Sequence, residues 1–87
     1  MMTSNQIDIV YFAWVRERVG HSRERISSRA TTVMELIDEL RLMGPEYEAA
    51  FADIAALRVA VDQQLVTFDA QVGEASEVAF FPPMTGG

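Results

Sequence analysis

Few residues in this sequence of 87 could take part in covalent chemistry. It has no cysteine and no lysine, which removes thiol nucleophiles, Cys-based zinc sites and Schiff-base chemistry. The one histidine, His21, follows Gly20 in an expected loop, where an exposed surface side chain is a simpler interpretation than a ligand or base. No phosphate-binding, dinucleotide-binding or zinc-protease motif occurs. We therefore expect no metal or cofactor on this chain, and hydroxyls, carboxylates and the chain ends remain as candidates.

The segment 80–87, FFPPMTGG, is the most unusual part of the sequence. Gly86 and Gly87 lack Cβ, so this end is thin enough to enter a narrow channel and present its terminal carboxylate to another protein's active site. Pro82 and Pro83 keep the exit stiff, and the segment from Pro82 can reach about 20 Å at roughly 3.3 Å per residue. An inert, disordered tail is the alternative interpretation.

Two adjacent aromatic residues, Phe80 and Phe81, lie in an expected strand, where neighbouring side chains point to opposite faces. One large ring is therefore left outside the core. Phe12 and Leu65 could join Phe81 in an apolar patch near the root of the tail, and such patches on small domains mark partner sites. The alternative is that Phe12, Leu65 and Phe81 all belong to the core.

Hydrophobic patterning predicts the elements that position these residues. Strands are expected at 7–12, 23–27, 57–61, 65–68 and 77–81. Residues 13–19 fit a short helical turn stopped by Gly20, and residues 62–64 fit a turn between two strands.

The main helix is expected to begin at Thr32, which with Glu35 forms a capping box. Gly44 should end this helix and Pro45 start a short second one. The apolar stripe of the main helix, which must face a core, consists of Val33, Leu36, Ile37, Leu40 and Met43. The order of elements predicts an α+β, ubiquitin-like β-grasp fold, with a mixed sheet of about five strands and one main helix packed across it. Residues 1–81 would form the domain and residues 82–87 a flexible tail.

The charge balance limits the partners. The formal net charge is −6 and all seven basic residues are arginine, which disfavours nucleic acid and makes a basic protein partner easier to bind. No apolar run is long enough to cross a bilayer, and the N-terminus lacks the features of a signal peptide. A soluble, cytoplasmic protein is expected.

Three segments carry a family resemblance: residues 12–17 read FAWVRE, residues 57–68 read LRVAVDQQLVTF, and residues 77–87 read EVAFFPPMTGG. They resemble the F-A-x-x-R-E opening, the A-V-N-Q-x-L-V hairpin and the D-E-V-A-F-F-P-P-V-x-G-G ending of the small, sulfur-carrying subunits of molybdopterin synthase, a family of ubiquitin-like proteins. Asp62 stands where that family usually has Asn, and Ala75-Ser76 stands where it has Gly-Asp. These departures lie in expected turns and bear on loop geometry.

The resemblance implies that an E1-like adenylyltransferase uses ATP to adenylate the terminal carboxylate of Gly87, and that a sulfur donor then replaces AMP. The Gly87 thiocarboxylate would be inserted into the large subunit, with Gly86 inside the channel, and give its sulfur to cyclic pyranopterin monophosphate to build the molybdopterin dithiolene. Catalytic side chains are expected on the large subunit, so this chain would be a non-catalytic donor. The implied partner contacts are Phe12, Arg16, Leu65, Phe81, Pro82 and Pro83.

Three other functions stay open at this point. A ubiquitin-like modifier would use the same Gly-Gly end to join lysines of other proteins, after the same adenylation. A sulfur carrier of the thiamin pathway shares the Gly-Gly end, although those proteins usually lack the F-F-P-P run. A plain interaction module would have an inert tail.

Overall fold

The computed structural model describes residues 5–83, which form one five-stranded sheet and three α-helices. The strands are β1 (Asn5–Tyr11), β2 (Arg23–Ser28), β3 (Arg58–Val61), β4 (Gln64–Val66) and β5 (Glu77–Phe81). The helices are α1 (Ala13–Val19), α2 (Val33–Arg41) and α3 (Pro45–Ala50), with a 3₁₀ turn at Ile54–Ala56. In this described part of the chain, no helix is both long and apolar enough to cross a bilayer.

The sheet has the order β2-β1-β5-β3-β4. β1 and β5 are parallel, and the other neighbouring strands are antiparallel. The strand that leads to the C-terminal segment, β5, is therefore hydrogen-bonded on both sides. This mixed sheet with helices on one side confirms the expected α+β, β-grasp architecture.

The start of α2 follows from its capping residues. The Thr32 hydroxyl accepts a hydrogen bond from the Glu35 N–H at 3.2 Å, as the sequence predicts. The Glu35 carboxylate, however, accepts from the N–H of Thr31 at 2.8 Å, one residue earlier than the expected reciprocal bond. Thr32 is extended and bridges Gln71, and the N–H within reach of Glu35 is the one before it. The Thr31 backbone and hydroxyl donors lower the pKa of Glu35.

The apolar stripe of α2 is buried against the sheet, with one exception. Val33, Leu36, Ile37 and Leu40 are fully buried, whereas Met43 is 45% exposed, so its prediction as a core residue is wrong. The helix ends at Arg41, and Met43 falls in the turn before α3. There it no longer follows the helical repeat.

The hairpin between β3 and β4 is tighter than expected. Only Asp62 and Gln63 form the turn, both with positive φ (49° and 71°), which is the pattern of a type I′ turn. Gln64 already pairs with Val61, and β4 ends at Val66 instead of residue 68. The Asp62 carboxylate also accepts the backbone N–H groups of the two residues 76 and 77, each at 3.0 Å, which ties the turn to the start of β5.

A partly buried polar cluster joins α3 to the sheet. The hydroxyls of Tyr11 on β1 and Tyr47 on α3 both donate to Glu24 Oε2 on β2, each at 2.8 Å. Burial, followed by the hydrogen bond to Glu24, raises the pKa of Tyr11 well above its ordinary value. The same causes raise the pKa of Tyr47 to about 12. Both phenols are therefore held in their neutral, donating form.

Candidate partner-docking site

The face of the sheet opposite α2 is solvent-facing, and we call it the open face. Side chains alternate along each strand, so β1 buries Ile7, Ile9 and Tyr11 while the positions between them face outward. In β5 the same alternation buries Phe80 and Val78 under α2. Of the candidate site residues, Leu65 and Phe81 lie on the open face and Phe12 lies directly beside it.

Phe81 and Phe12 meet at the end of the open face from which the chain leaves β5. Phe80 is fully buried, whereas Phe81 is half-buried and Phe12 is 48% exposed. The rings of Phe12 and Phe81 pack edge to face, with centroids 6.5 Å apart and an interplanar angle of 81°. The expectation of one outward ring is confirmed, and the alternative that all three apolar residues belong to the core is wrong.

The local backbone fixes where Phe12 points. Its N–H donates to the Phe80 carbonyl at 3.1 Å, which continues the β1–β5 pairing by one residue. The next residue, Ala13, has φ of 53°, a left-handed conformation that costs a residue with a Cβ about 1–2 kcal/mol. The chain therefore turns sharply into α1 immediately after Phe12 and leaves that ring at an outer corner.

Leu65 extends the same surface across the sheet. It is 70% exposed and pairs with Ala60, which pairs with Ala79, so their side chains share the open face. Two strand spacings, about 10 Å in total, separate β4 from β5, and the two alanines form a low floor between Leu65 and Phe81. We call Phe12, Ala60, Leu65, Ala79 and Phe81 the apolar patch.

The remaining sequence candidates are placed as follows. Arg16 is exposed on α1, one turn after Phe12, and its N–H donates to the Phe12 carbonyl at 3.4 Å. Pro82 and Pro83 are half-buried and follow β5 directly. Gly86 and Gly87, the predicted reacting end, lie outside the described residues.

The other end of the open face is charged. Arg23 contacts Asp8 and Glu77, both at 3.2 Å, and Arg25 contacts Asp8 at 2.8 Å. The hydrogen bond from Arg25, followed by that from Arg23, holds the pKa of Asp8 below its usual range. Exposed ion pairs of this kind contribute little stability. These ion pairs make one half of the open face charged, whereas the half near Phe81 is apolar.

Sequence reasoning missed Arg58, which lies within the apolar half. It is exposed on β3 and is the direct cross-strand partner of Phe81. Its position next to buried Val59 signals that it faces outward, but its pairing with Phe81 depends on register and is not visible locally.

The described residues offer a binding surface more than a reaction centre. Across residues 5–83 no group of three or more metal-ligating side chains comes together. His21, the only histidine, is exposed between α1 and β2.

Comparison with known proteins places this geometry in a family. Residues 9–87 match the model described as the ThiS family. The molybdopterin synthase sulfur carrier subunit of Escherichia coli (strain K12) is 38% identical over 81 residues, which cover 93% of this chain and 99% of that protein.

Two solved structures share the fold. SAMP1 from Haloferax volcanii has a TM-score of 0.75 at 21% identity, covering 95% of this chain and 100% of that one. A protein–protein complex of subunits 1 and 2 of the molybdopterin-converting factor from Helicobacter pylori 26695 contains a chain that matches with a TM-score of 0.60 at 15% identity, covering 95% of this chain and 100% of that one. The family match and the E. coli relative confirm the resemblance seen in the sequence, and the two solved structures share its fold. Because the family match runs from β1 to the last residue, the chain belongs to the ThiS family.

Proposed function

We propose that this chain is a sulfur-carrier subunit of molybdopterin synthase, with Gly87 alternating between a carboxylate and a thiocarboxylate. The 38% identical E. coli relative carries that name and aligns over nearly its whole length. The structural observation that carries the proposal is the outward-facing Phe12–Phe81 pair, located at the end of β5, the strand that leads to Gly87. A partner enzyme could bind the domain through this apolar surface while it modifies the nearby chain end.

The proposed cycle has three covalent steps. A Gly87 carboxylate oxygen attacks the α-phosphorus of ATP on an E1-like enzyme, which releases pyrophosphate and leaves a glycyl adenylate. Sulfide-level sulfur from a donor then attacks the glycyl carbonyl carbon and displaces AMP to give the thiocarboxylate. On the large subunit the thiocarboxylate sulfur attacks a carbon of cyclic pyranopterin monophosphate and displaces an oxygen substituent from that carbon. Water then hydrolyses the resulting thioester between the sulfur and Gly87, which restores the carboxylate and leaves the sulfur on the pterin. Two such deliveries supply the two sulfur atoms of the dithiolene.

In this proposal the role of the folded domain is to hold the start of its own C-terminal tail in a fixed position. β5 is hydrogen-bonded to β1 and to β3, so Phe81, its last residue, is a fixed starting point for the tail. From Pro82 the chain can extend about 20 Å at roughly 3.3 Å per residue, far enough to enter a partner's active site. Correct placement of a reacting group contributes strongly to rate, because misplacement by about 1 Å can cost on the order of 100-fold.

The partner we propose for the third step is a large synthase subunit, with catalytic side chains on that subunit. The H. pylori structure is titled as a complex of subunits 1 and 2, and its matched chain shares the fold of this one. The proposed partner for the first step is an E1-like adenylyltransferase that binds ATP itself. We place both steps in the cytoplasm. Because the chain has no cysteine, it has no thiol to carry labile sulfur, and we propose that the sulfur is attached at the chain end.

Intact-mass analysis tests the proposal. Incubation of the full chain with the E1-like enzyme, ATP and a sulfur source should replace one oxygen by sulfur, and C-terminal peptide sequencing should locate the change at Gly87. A variant lacking Gly86 and Gly87 is the matched control and should stay unmodified. Sulfur found upstream of Gly87, or none under conditions that load the E. coli relative, would overturn the proposal.

The same reaction separates the proposal from a ubiquitin-like modifier. Both functions begin with adenylation, but a modifier ends in isopeptide bonds between Gly87 and lysines of other proteins. The chain has no lysine of its own, so self-conjugation cannot obscure the result. Conjugates in place of a free thiocarboxylate would favour the modifier.

A further inference from the structure

We infer that Arg58 is a specificity-determining contact of the apolar patch, and that the large subunit meets its guanidinium with a carboxylate. The inference rests on the proposed function, because it concerns the partner that covers Phe12 and Phe81. It means that the partner must present a negatively charged group as well as an apolar surface to the apolar patch.

The register of the sheet places Arg58 directly beside the apolar patch. Arg58 on β3 lies directly opposite Phe81 on β5, so the two side chains share the open face with Cβ atoms about 4.5–5.5 Å apart. Ala60, the next outward residue on β3, belongs to the patch itself. A partner that covers Phe81 and Ala60 must therefore cover the Arg58 side chain as well.

The guanidinium is held in place and keeps unused hydrogen-bonding capacity. Its Nη1 donates to the carbonyl of Leu57 at 2.8 Å and to that of Ala55 at 3.5 Å. A guanidinium has five N–H donors, so these neutral acceptors leave donors and the whole positive charge for another group. Within residues 5–83 the arginines that form ion pairs are Arg23, Arg25 and Arg41.

Covering Arg58 with an apolar surface would be costly, because a charge that loses water needs a partner of opposite sign. A carboxylate matches the planar fork of the guanidinium and can accept two of its hydrogen bonds. The net charge of −6 attracts basic surfaces at long range, so a carboxylate opposite Arg58 is a local requirement that the net charge does not predict. A uniformly basic surface would be attracted at a distance and rejected at the patch, which is how a single charge discriminates between partners.

The test measures the Kd of the full chain for the large subunit from the same organism, at low and at high salt. Arg58→Glu should weaken binding by at least about 30-fold at low salt, and the loss should shrink as salt rises. Arg58→Gln, which keeps polarity without charge, should weaken binding by about 10-fold. Arg29→Glu is the matched control, because Arg29 is exposed in the β2–α2 connection and its substitution changes the net charge equally. It should change the Kd by less than about 2-fold.

The outcomes distinguish this inference from the proposed function. Phe81→Glu is measured in parallel: if it abolishes binding while Arg58→Glu behaves like Arg29→Glu, the inference about Arg58 is wrong and the docking surface stands. If Phe81→Glu binds like the wild type, the surface itself is wrong and the inference fails with it. Should Arg58→Glu not fold by circular dichroism, Arg58→Gln decides. Restored binding of Arg58→Glu by a carboxylate-to-lysine change on the large subunit would identify the paired group.

Discussion

Alkaline solution should destabilise this protein through its two tyrosines. Tyr11 and Tyr47 donate to the same oxygen of Glu24, so removing either proton would place a phenolate against a carboxylate in a partly buried site. The fold therefore raises the pKa of Tyr47 to about 12 and that of Tyr11 further. With no lysine and no cysteine, the tyrosines are the only side chains whose ordinary pKa falls between about 9 and 12.

The sign and size follow from proton linkage. Unfolded tyrosine loses its proton near pH 10, so above about pH 10 the unfolded chain binds fewer protons than the folded one, and the free energy of unfolding falls as pH rises. Each tyrosine that stays protonated in the fold contributes a slope of about −1.4 kcal/mol per pH unit. From about pH 10 to about pH 11.5, Tyr11 alone removes roughly 2 kcal/mol, which corresponds to a Tm lower by about 8–16 °C for a domain of this size. Tyr47 adds to the loss until its own pKa of about 12 is reached.

Urea unfolding at a series of pH values, followed by circular dichroism, measures this slope, and tyrosinate absorbance reports ionisation in the same samples. Tyr11→Phe should start less stable near pH 8 but lose stability with a slope shallower by about 1.4 kcal/mol per pH unit. Tyr47→Phe should flatten the slope less. An unchanged slope in Tyr11→Phe, or full tyrosinate formation near pH 10 in the folded wild type, would refute the shared-carboxylate explanation.

Three further predictions concern the site. Phe81→Glu should keep the wild-type circular dichroism and Tm within a few degrees yet fail to co-purify with the large subunit, because Phe81 is half-buried on the open face; an unfolded variant would mean that the ring is core. Gly86→Val should fold and dock normally but lose on the order of 100-fold in molybdopterin formation, measured beside complex affinity, and wild-type turnover would contradict confinement of the tail. Asp62→Ala should lower the free energy of unfolding by about 1–3 kcal/mol in urea titrations, because its carboxylate holds two backbone N–H groups at 3.0 Å, whereas Asp62→Asn, which keeps an acceptor oxygen, should lose less; an Asp62→Ala variant as stable as the wild type would contradict the explanation.

The parts of the fold that local chemistry determines were predictable from the sequence. Gly20 ends α1 with φ of 93° and donates to the Arg16 carbonyl at 2.8 Å, as expected of a helix followed by glycine. Thr32 caps α2 because its hydroxyl is the right group at the right spacing. The adjacent pair Phe80 and Phe81 had to split between the two faces of the sheet, since strand geometry allows nothing else.

The features that depend on register or on long-range contacts were not predictable in this way. The pairing of Arg58 with Phe81 joins strands whose order in the sheet the local pattern does not contain. The meeting of Tyr11 and Tyr47 at Glu24 brings together three elements, and nothing in the spacing of these residues signals it. Met43 fits the helical repeat but is exposed, because the backbone leaves the helix after Arg41.

Two adjacent residues, Tyr11 at the end of β1 and Phe12 directly after it, have different roles, one in stability and the other in recognition. Tyr11 points into the core, where it packs on Phe51 and is linked to α3 through Glu24, while Phe12 points outward and packs on Phe81. Tyr11→Phe should therefore lower stability without changing the Kd for the large subunit, and Phe12→Ser should weaken binding with little change in Tm. Measured together, the two variants separate loss of docking from loss of folding. If Phe12→Ser lowers the Tm as much as Tyr11→Phe does, the edge-to-face pair of Phe12 and Phe81 stabilises the domain itself. The outward position of Phe12 would then be explained by stability and not by partner binding.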